Sequence, residues 1–305
     1  MRRALGSAAD FLTALAGVVA ISFILMQWLP GDPAEIYAGE EASFEEVEAV
    51  RRRMGLDRPL PIQFAQYLSR AARGDLGTSI RSGRPVILEL RSRMGATFLL
   101  ASLALAFAAA VALPIGIMSA AHPRSTLVQS MDWVGLAILS VPVYWLGLTL
   151  ILLFSLTFRL FPAGGDATIA HYLLPAAALG AHTGVATARV LRSSLADILA
   201  KPYLNTARSK GATQARTLWK HALPNALAPA LTYFALESGR LLGGAVLTET
   251  IFSINGLGRF VVQSIAFRDY PSVLGAVLLM AAAVMAANLA ADLVCSRIDP
   301  RLRGL

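Results

Sequence analysis

Six long apolar stretches constrain this chain more than any motif in it. They cover residues 11–29, 96–121, 131–158, 171–191, 225–250 and 272–295. Each is close to or above the about 20 mostly apolar residues a helix needs to cross a bilayer. The expectation is an all-α polytopic membrane protein with six transmembrane helices. Composition agrees: 56% of the 305 residues are hydrophobic and 15% charged, against roughly a quarter charged in soluble domains. The fourth stretch is the weakest, because His171, His182 and several Thr and Gly residues dilute it. Its small residues, among them Ala176, Gly180 and Gly184, suit close helix packing more than lipid contact. The first follows Met1-Arg2-Arg3 and is too long for a signal-peptide core, so it reads as an uncleaved first helix.

The formal charge of +8 has a topological explanation. With the N-terminus in the cytoplasm, Arg2, Arg3, Arg124, Arg189, Arg192, Lys201, Arg208, Lys210, Arg216, Lys220, Arg297, Arg301 and Arg303 fall inside. The short outer loops then hold Arg159, Arg259 and Arg268. That asymmetry satisfies the positive-inside rule and places both termini in the cytoplasm. No basic stripe interleaved with aromatics is present, so nucleic acid is not an expected partner.

Two polar segments stand apart. Residues 30–95 read as a helical outer insertion between spans 1 and 2. Ser43 is placed as an N-cap ahead of Glu45, Glu46 and Glu48, and Gly55 as a helix stop. A second amphipathic stretch runs over 61–73. A small cap on the outer membrane face and a contact surface for an external partner are equally compatible with it. Residues 192–224 form a basic cytoplasmic loop with helical composition, in which Gly211 permits a turn and Pro224 suits the first turn of the next span. Arg208, Lys210, Arg216 and Lys220 can pair with acids on a soluble partner or with anionic lipid.

Several chemistries lack their residues. No Gly-Lys pair occurs, so the chain has no phosphate-cradling P-loop and energy must come from separate subunits. Cys295 is the single cysteine, which excludes an internal disulfide and a multi-cysteine metal site. His122, His171, His182 and His221 do not converge in any simple topology, and nothing resembles a nucleophile elbow. The chain reads as no enzyme, with no cofactor or metal of its own. Ionisable residues inside spans are functional candidates. Glu237 and Arg240, three apart in the fifth span, share a helix face beside Gly239, Gly243 and Gly244. They line a translocation path or form a structural ion pair. Glu249, near the outer end, is a gate or packing candidate, and Asn288 and Asp292 read as packing polars.

An ordered set of short motifs spans nearly the whole chain. It comprises Gly31-Asp32-Pro33, Gly55-Leu56-Asp57-Arg58-Pro59, Gly74-Asp75-Leu76-Gly77-Thr78-Ser79, Pro85-Val86, Leu247-Thr248-Glu249-Thr250-Ile251-Phe252, Gly256-Leu257-Gly258-Arg259, Arg268-Asp269-Tyr270-Pro271 and Asp299-Pro300-Arg301. The set resembles the dipeptide, oligopeptide and nickel branch of ABC importer permeases, first-permease type. The resemblance implies a type I ABC importer permease (MetI-like) fold in a single domain over 1–305. It implies a bacterial inner-membrane complex with a second permease subunit, two ATPase subunits that bind ATP and Mg, and a periplasmic or lipid-anchored binding protein.

The family's cytoplasmic signature, EAA, three residues, Gly, nine residues, an apolar position and Leu-Pro, aligns on Gly211. Asn205, Thr206 and Ala207 then stand in the EAA positions, with Arg208, Lys210 and Ala212 around the glycine and His221, Leu223 and Pro224 at the close. Asn205 replaces the Glu and His221 the apolar position, which removes the charge from the first place. Asn255 stands where the family usually has Pro before Gly256. The resemblance implies that this loop docks on an ATPase subunit. Peptides are the leading substrate reading, with nickel or metal chelates, glutathione and opines as alternatives. An ion-driven secondary transporter would instead carry inverted repeats and convergent intramembrane acids, and no repeat is evident.

Overall fold

The computed structural model describes residues 2–28, 32–39 and 41–298, without the side chains of 2–12, 208, 296 and 298. Pro30, Gly31, the motif Asp299-Pro300-Arg301, Arg303 and the side chains of Arg2, Arg3 and Arg208 therefore lie outside the described residues. Among the described residues regular structure is helical. In order come α1 (Arg2–Trp28), α2 (Pro33–Ala38), α3 (Phe44–Met54), α4 (Leu60–Ala71), α5 (Val86–Ala121), α6 (Thr126–Ser140), α7 (Val143–Leu150), α8 (Ala170–Leu199), α9 (Pro202–Ser209), α10 (Gln214–Arg216), α11 (Leu223–Ile251), α12 (Leu257–Ala266) and α13 (Tyr270–Ile298). Two π-helical segments, Ile151–Thr157 and Thr217–Ala222, extend α7 and lead into α11.

By length and apolar composition, Val86–Ala121 and Tyr270–Cys295 are each able to cross a membrane, and a third span exists if one bent pair counts as one. α8 and α11, 30 and 29 residues long, are diluted by small and polar residues. The stretch expected as one helix over 131–158 is broken: Thr126–Ser140 and Val143–Thr157 meet at a 115° bend. Pro142 lacks an N–H and pushes the residue before it out of the helical region, and Val141 is extended at φ −104°, ψ 133°. The freed Val141 carbonyl accepts a 2.7 Å hydrogen bond from His182 Nε2. A carbonyl only accepts, so the proton of His182 sits on Nε2.

The chain divides into two compact units, Met1–Thr97 with Asn255–Met285, and Phe98–Ile254 with Ala286–Leu305. In the first, Asp32 caps α2 by accepting from Ala34 N–H at 2.9 Å, and it forms an ion pair with Arg51 of α3. Ser43 and Glu46 make a reciprocal capping box at the start of α3, and the Ser43 N–H holds the Glu46 carboxyl below its ordinary range. Gly55 ends α3 in the left-handed region at φ +70°. Leu76, Val86, Leu90, Leu257 and Phe260 form an apolar cluster. Val19, Phe23, Tyr67 and Leu274 form another, where burial pushes the Tyr67 phenol up to about 12.

The polar centre of this unit is Asp269, 2% exposed. Its carboxylate accepts from Ser79 Oγ (2.5 Å), Ile80 N–H (3.0 Å), Ser272 N–H (3.3 Å) and Ser272 Oγ (2.7 Å). One buried acid thus pins residues 79–80 to the start of α13.

In the second unit α8 is the most enclosed helix, with Leu174, Ala178, Leu179, Gly180, Gly184, Val185, Leu191 and Leu195 all buried. A Cβ added to Gly180 would lie 2.3 Å from the Ala104 carbonyl oxygen of α5, and one added to Gly184 3.0 Å from that of Ala108. α11 closes on α8 where a Cβ on Gly244 would meet Leu179 at 2.9 Å. Gly239 of α11 lies against the Asn288 side chain of α13, which accounts for Asn288 as a packing residue.

Two stability outcomes follow. Gly180→Ala forces α5 and α8 apart and is expected to cost about 1–3 kcal/mol, seen as a lowered melting temperature in detergent. Gly243→Ala, with no atom within 4 Å of its added Cβ, serves as the near-neutral control. Asp269→Asn places an amide donor against existing donors and is expected to cost about 1–3 kcal/mol, with faster proteolytic cleavage within 79–85.

Candidate functional site

The basic loop is a folded element. Pro202 opens α9 at fixed φ, and Leu204, fully buried, anchors the helix among Leu191, Leu195, Ala222, Leu223 and Ala226. Asn205, Thr206 and Ala207 lie on α9, with Asn205 and Thr206 exposed and Ala207 half-buried. The helix ends at Gly211, φ +87°, with Lys210 N–H donating to Thr206 O and Ala212 N–H to Ala207 O, each at 3.1 Å. That second bond, reaching back five residues over a left-handed glycine, is a Schellman closure. Among the described residues no atom lies within 4 Å of a Cβ at Gly211, so backbone conformation, not space, demands glycine.

The return is helical from Gln214. Thr213 Oγ1 caps α10 by accepting from Arg216 N–H at 3.2 Å. The π turn Thr217–Ala222 runs straight into α11, and Pro224 stands in the first turn of that helix, as the sequence suggested. The wider turn accommodates the N–H that proline lacks. His221 acts through its backbone: its carbonyl accepts from Asn225 Nδ2 (2.9 Å) and from the Tyr203 hydroxyl (3.3 Å), tying α9 to the start of α11. Leu223 is buried in the shared core. The surface left facing outward carries Thr206, Lys210, Arg216, Lys220 and Trp219, which is 59% exposed. Trp219 was missed by sequence reasoning; an aromatic flanked by cations in a polar loop was its signal.

Glu237 and Arg240 of α11 pair at 3.0 Å, with side chains 18% and 81% exposed. Leu236, Arg240, Gly243 and Leu247, spaced three to four apart, are exposed and share one face. Gly239 and Gly244, expected beside the pair on that face, instead pack against Asn288 and Leu179. Glu249 is fully buried, one turn before the Phe252 carbonyl that accepts from Gly165 N–H at 2.8 Å.

Sequence reasoning overlooked a second ion pair, Arg192 of α8 with Asp132 of α6. Ser119 Oγ donates to Asp132 at 3.4 Å. His171 contacts Thr168, and no group of three or more metal-ligating residues occurs among the described residues.

Residues 112–304 match the family model described as binding-protein-dependent transport system inner membrane component, and residues 1–81 match its N-terminal companion. The chain belongs to that permease family. It is similar to a glutathione transport system permease from Pectobacterium atrosepticum, 39% identical over 94% of each chain. It is equally similar, at 39% over 94% of this chain and 93% of the other, to a probable D,D-dipeptide transport system permease from Escherichia coli K12. A dipeptide transport system permease from Alkalihalophilus pseudofirmus is 35% identical over 95% of each chain. The fold is similar to an inward-facing methionine ABC transporter chain, TM-score 0.59 at 18% identity, over 70% of this chain and 97% of that one.

In this permease, then, five motif residues are structural pins: Asp32, Gly55, Asp75, Ser79 and Asp269 each close a cap or turn. Leu257 N–H likewise donates to Thr97 Oγ1 at 2.8 Å. The Glu237–Arg240 pair lies three residues apart on one helix, so it ties α11 to no second element and has little weight in packing. Arg240→Gln and Glu237→Gln are expected to leave the melting temperature near wild type while lowering uptake several-fold. Unchanged uptake with a lowered melting temperature would assign the pair to structure.

Proposed function

We propose that this chain is one of two permease subunits of an ATP-driven, binding-protein-dependent importer of di- and oligopeptides. The observation that carries the substrate class is the near-equal likeness, along almost the whole chain, to permeases named for glutathione, D,D-dipeptides and dipeptides. All three names describe short peptides or peptide-like solutes. Metal chelates and opines, carried elsewhere in the same branch, are the competing substrates.

In this reading α1, α5, the bent α6–α7 pair, α8, α11 and α13 are six spans with both termini in the cytoplasm of a bacterial inner membrane. Residues 30–95 are an outer insertion facing a periplasmic or lipid-anchored binding protein. Residues 192–224 are the coupling loop. ATP and Mg are bound by two partner ATPases, and the chain itself catalyses no reaction.

The loop is built for mechanical work. α9 is fixed beneath by Leu204 and laterally by the Tyr203–His221–Asn225 hydrogen bonds. After the turn at Gly211, the return carries no break, since the helix is continuous from Gln214 to Ile251. A push by an ATPase on the surface around Gly211 would therefore move α11 as a lever and rock the helices around the path. The buried cluster of Leu191, Leu195, Leu204 and Leu223 transmits the same push to α8.

Uptake of labelled dipeptides by cells expressing the chain with its neighbouring subunits tests the reading. Gly211→Val places a β-branched residue at φ +87°, where such residues are strained. It is expected to abolish uptake while the subunits still assemble and ATP hydrolysis persists uncoupled. Full transport by that variant would remove the coupling assignment. Calorimetry on the adjacent binding protein decides substrate class: tight binding of a metal chelate and none of peptides would overturn the peptide reading.

A further inference from the structure

A cleft of about 640 Å³ opens among α5, α6 and α8, and none of the transport chemistry above uses it. Its lining is graded. Phe107, Val111 and Ile115 of α5 with Leu136 and Ile138 of α6 form an apolar interior. At the other end lie Ser119, Gln129, Asp132, Arg189 and Arg192. The gradient runs the same way on each helix: toward the C-terminal end of α5, the N-terminal end of α6 and the C-terminal end of α8. Those ends coincide only because α6 runs opposite to α5 and α8. From Phe107 to Ser119 the cleft runs about 18 Å along α5 at 1.5 Å per residue. One leaflet of hydrocarbon is about 15 Å thick.

Charge at the mouth is unbalanced. Arg192 is matched by Asp132, whereas Arg189, exposed, makes no hydrogen bond or ion pair among the described residues. The polar end therefore carries a surplus positive charge, with the Gln129 amide beside it. An apolar slot one leaflet deep, opening at a cationic mouth, fits an amphiphile whose head is anionic and whose body is hydrocarbon.

We infer that this cleft binds one anionic phospholipid of the cytoplasmic leaflet. The acyl chain lies between α5 and α6, and the phosphate sits against Arg189. The inference rests on the orientation given under the proposed function, which puts Arg189 and Arg192 at the cytoplasmic face. A transported peptide fits the cleft poorly, because its charged termini and amide groups would find no polar partners among Phe107, Val111, Ile115, Leu136 and Ile138.

The test counts lipid bound to the purified transporter by native mass spectrometry after titration with phosphatidylglycerol or phosphatidylethanolamine. Phosphatidylglycerol is expected to be retained in preference. Arg189→Gln should weaken it about fivefold, the equivalent of the ~1 kcal/mol that one basic side chain contributes at an anionic surface. Arg189→Lys should restore it, which a merely structural role for the guanidinium would not. Val111→Trp, which fills the interior, should lower retention of both lipids. Equal phosphatidylglycerol retention by wild type, Arg189→Gln and Val111→Trp would overturn the inference. So would a photo-crosslinker at position 111 that joins the second permease rather than lipid. The count is made on the isolated full chain as well as on the complex. Failure of assembly then speaks against the transporter reading, while an assembled or isolated chain without bound phosphatidylglycerol speaks against the cleft.

Discussion

The close approach of α8 to α5 and α11 is the contact on which the second unit depends. At Gly180 the backbone of α5 occupies the space a side chain would take, with the Ala104 oxygen 2.3 Å from the Cβ position. Lipid tails are as apolar as leucine, so burying hydrocarbon does not drive helices together inside a bilayer. Dispersion between closely fitted backbones takes over that role, and it demands small residues. The glycines and alanines that dilute the hydropathy of α8 are therefore the residues that let it sit at the centre. Low hydropathy and deep burial have one cause.

Polar groups follow a similar logic of place. Asp269 is buried and saturated by four hydrogen bonds, so it fixes the 79–80 turn and has nothing left for a ligand. Arg240 sits on an α11 face that is exposed among the described residues, with its partner Glu237 mostly covered at the edge of that face. The basic loop around Gly211 combines both designs. Its floor is a leucine cluster and its sides are hydrogen-bonded, while Lys210, Arg216, Trp219 and Lys220 on its outer surface are exposed. Rigidity beneath and exposure above are what the proposed docking role would require of this surface.

Much of the loop was legible without coordinates. Signature spacing located Gly211, and the Gly-to-Pro distance framed the helical return. Ser43, Glu46 and Gly55 likewise announced the caps of α3, because capping is decided within four residues of chain. The 115° bend between α6 and α7 was also written locally, in Pro142, but a long apolar run obscured it. The Arg192–Asp132 pair was not legible. Its members are sixty positions apart, and each reads separately as an ordinary loop-end charge.

The sequence by itself determined membrane residence, helical class, family and the location of the basic loop around Gly211. Hydropathy, capping and motif spacing are properties of contiguous residues. Tertiary structure decided which face of α11 stays open, which glycines are filled by a neighbour, and where charges from α6 and α8 meet over an apolar cleft. Those outcomes depend on helix rotation and crossing, which are set by contacts between segments far apart in the chain. Gly239 and Gly243 make the point: four residues apart and alike in sequence, one is covered by Asn288 and the other meets no atom within 4 Å among the described residues.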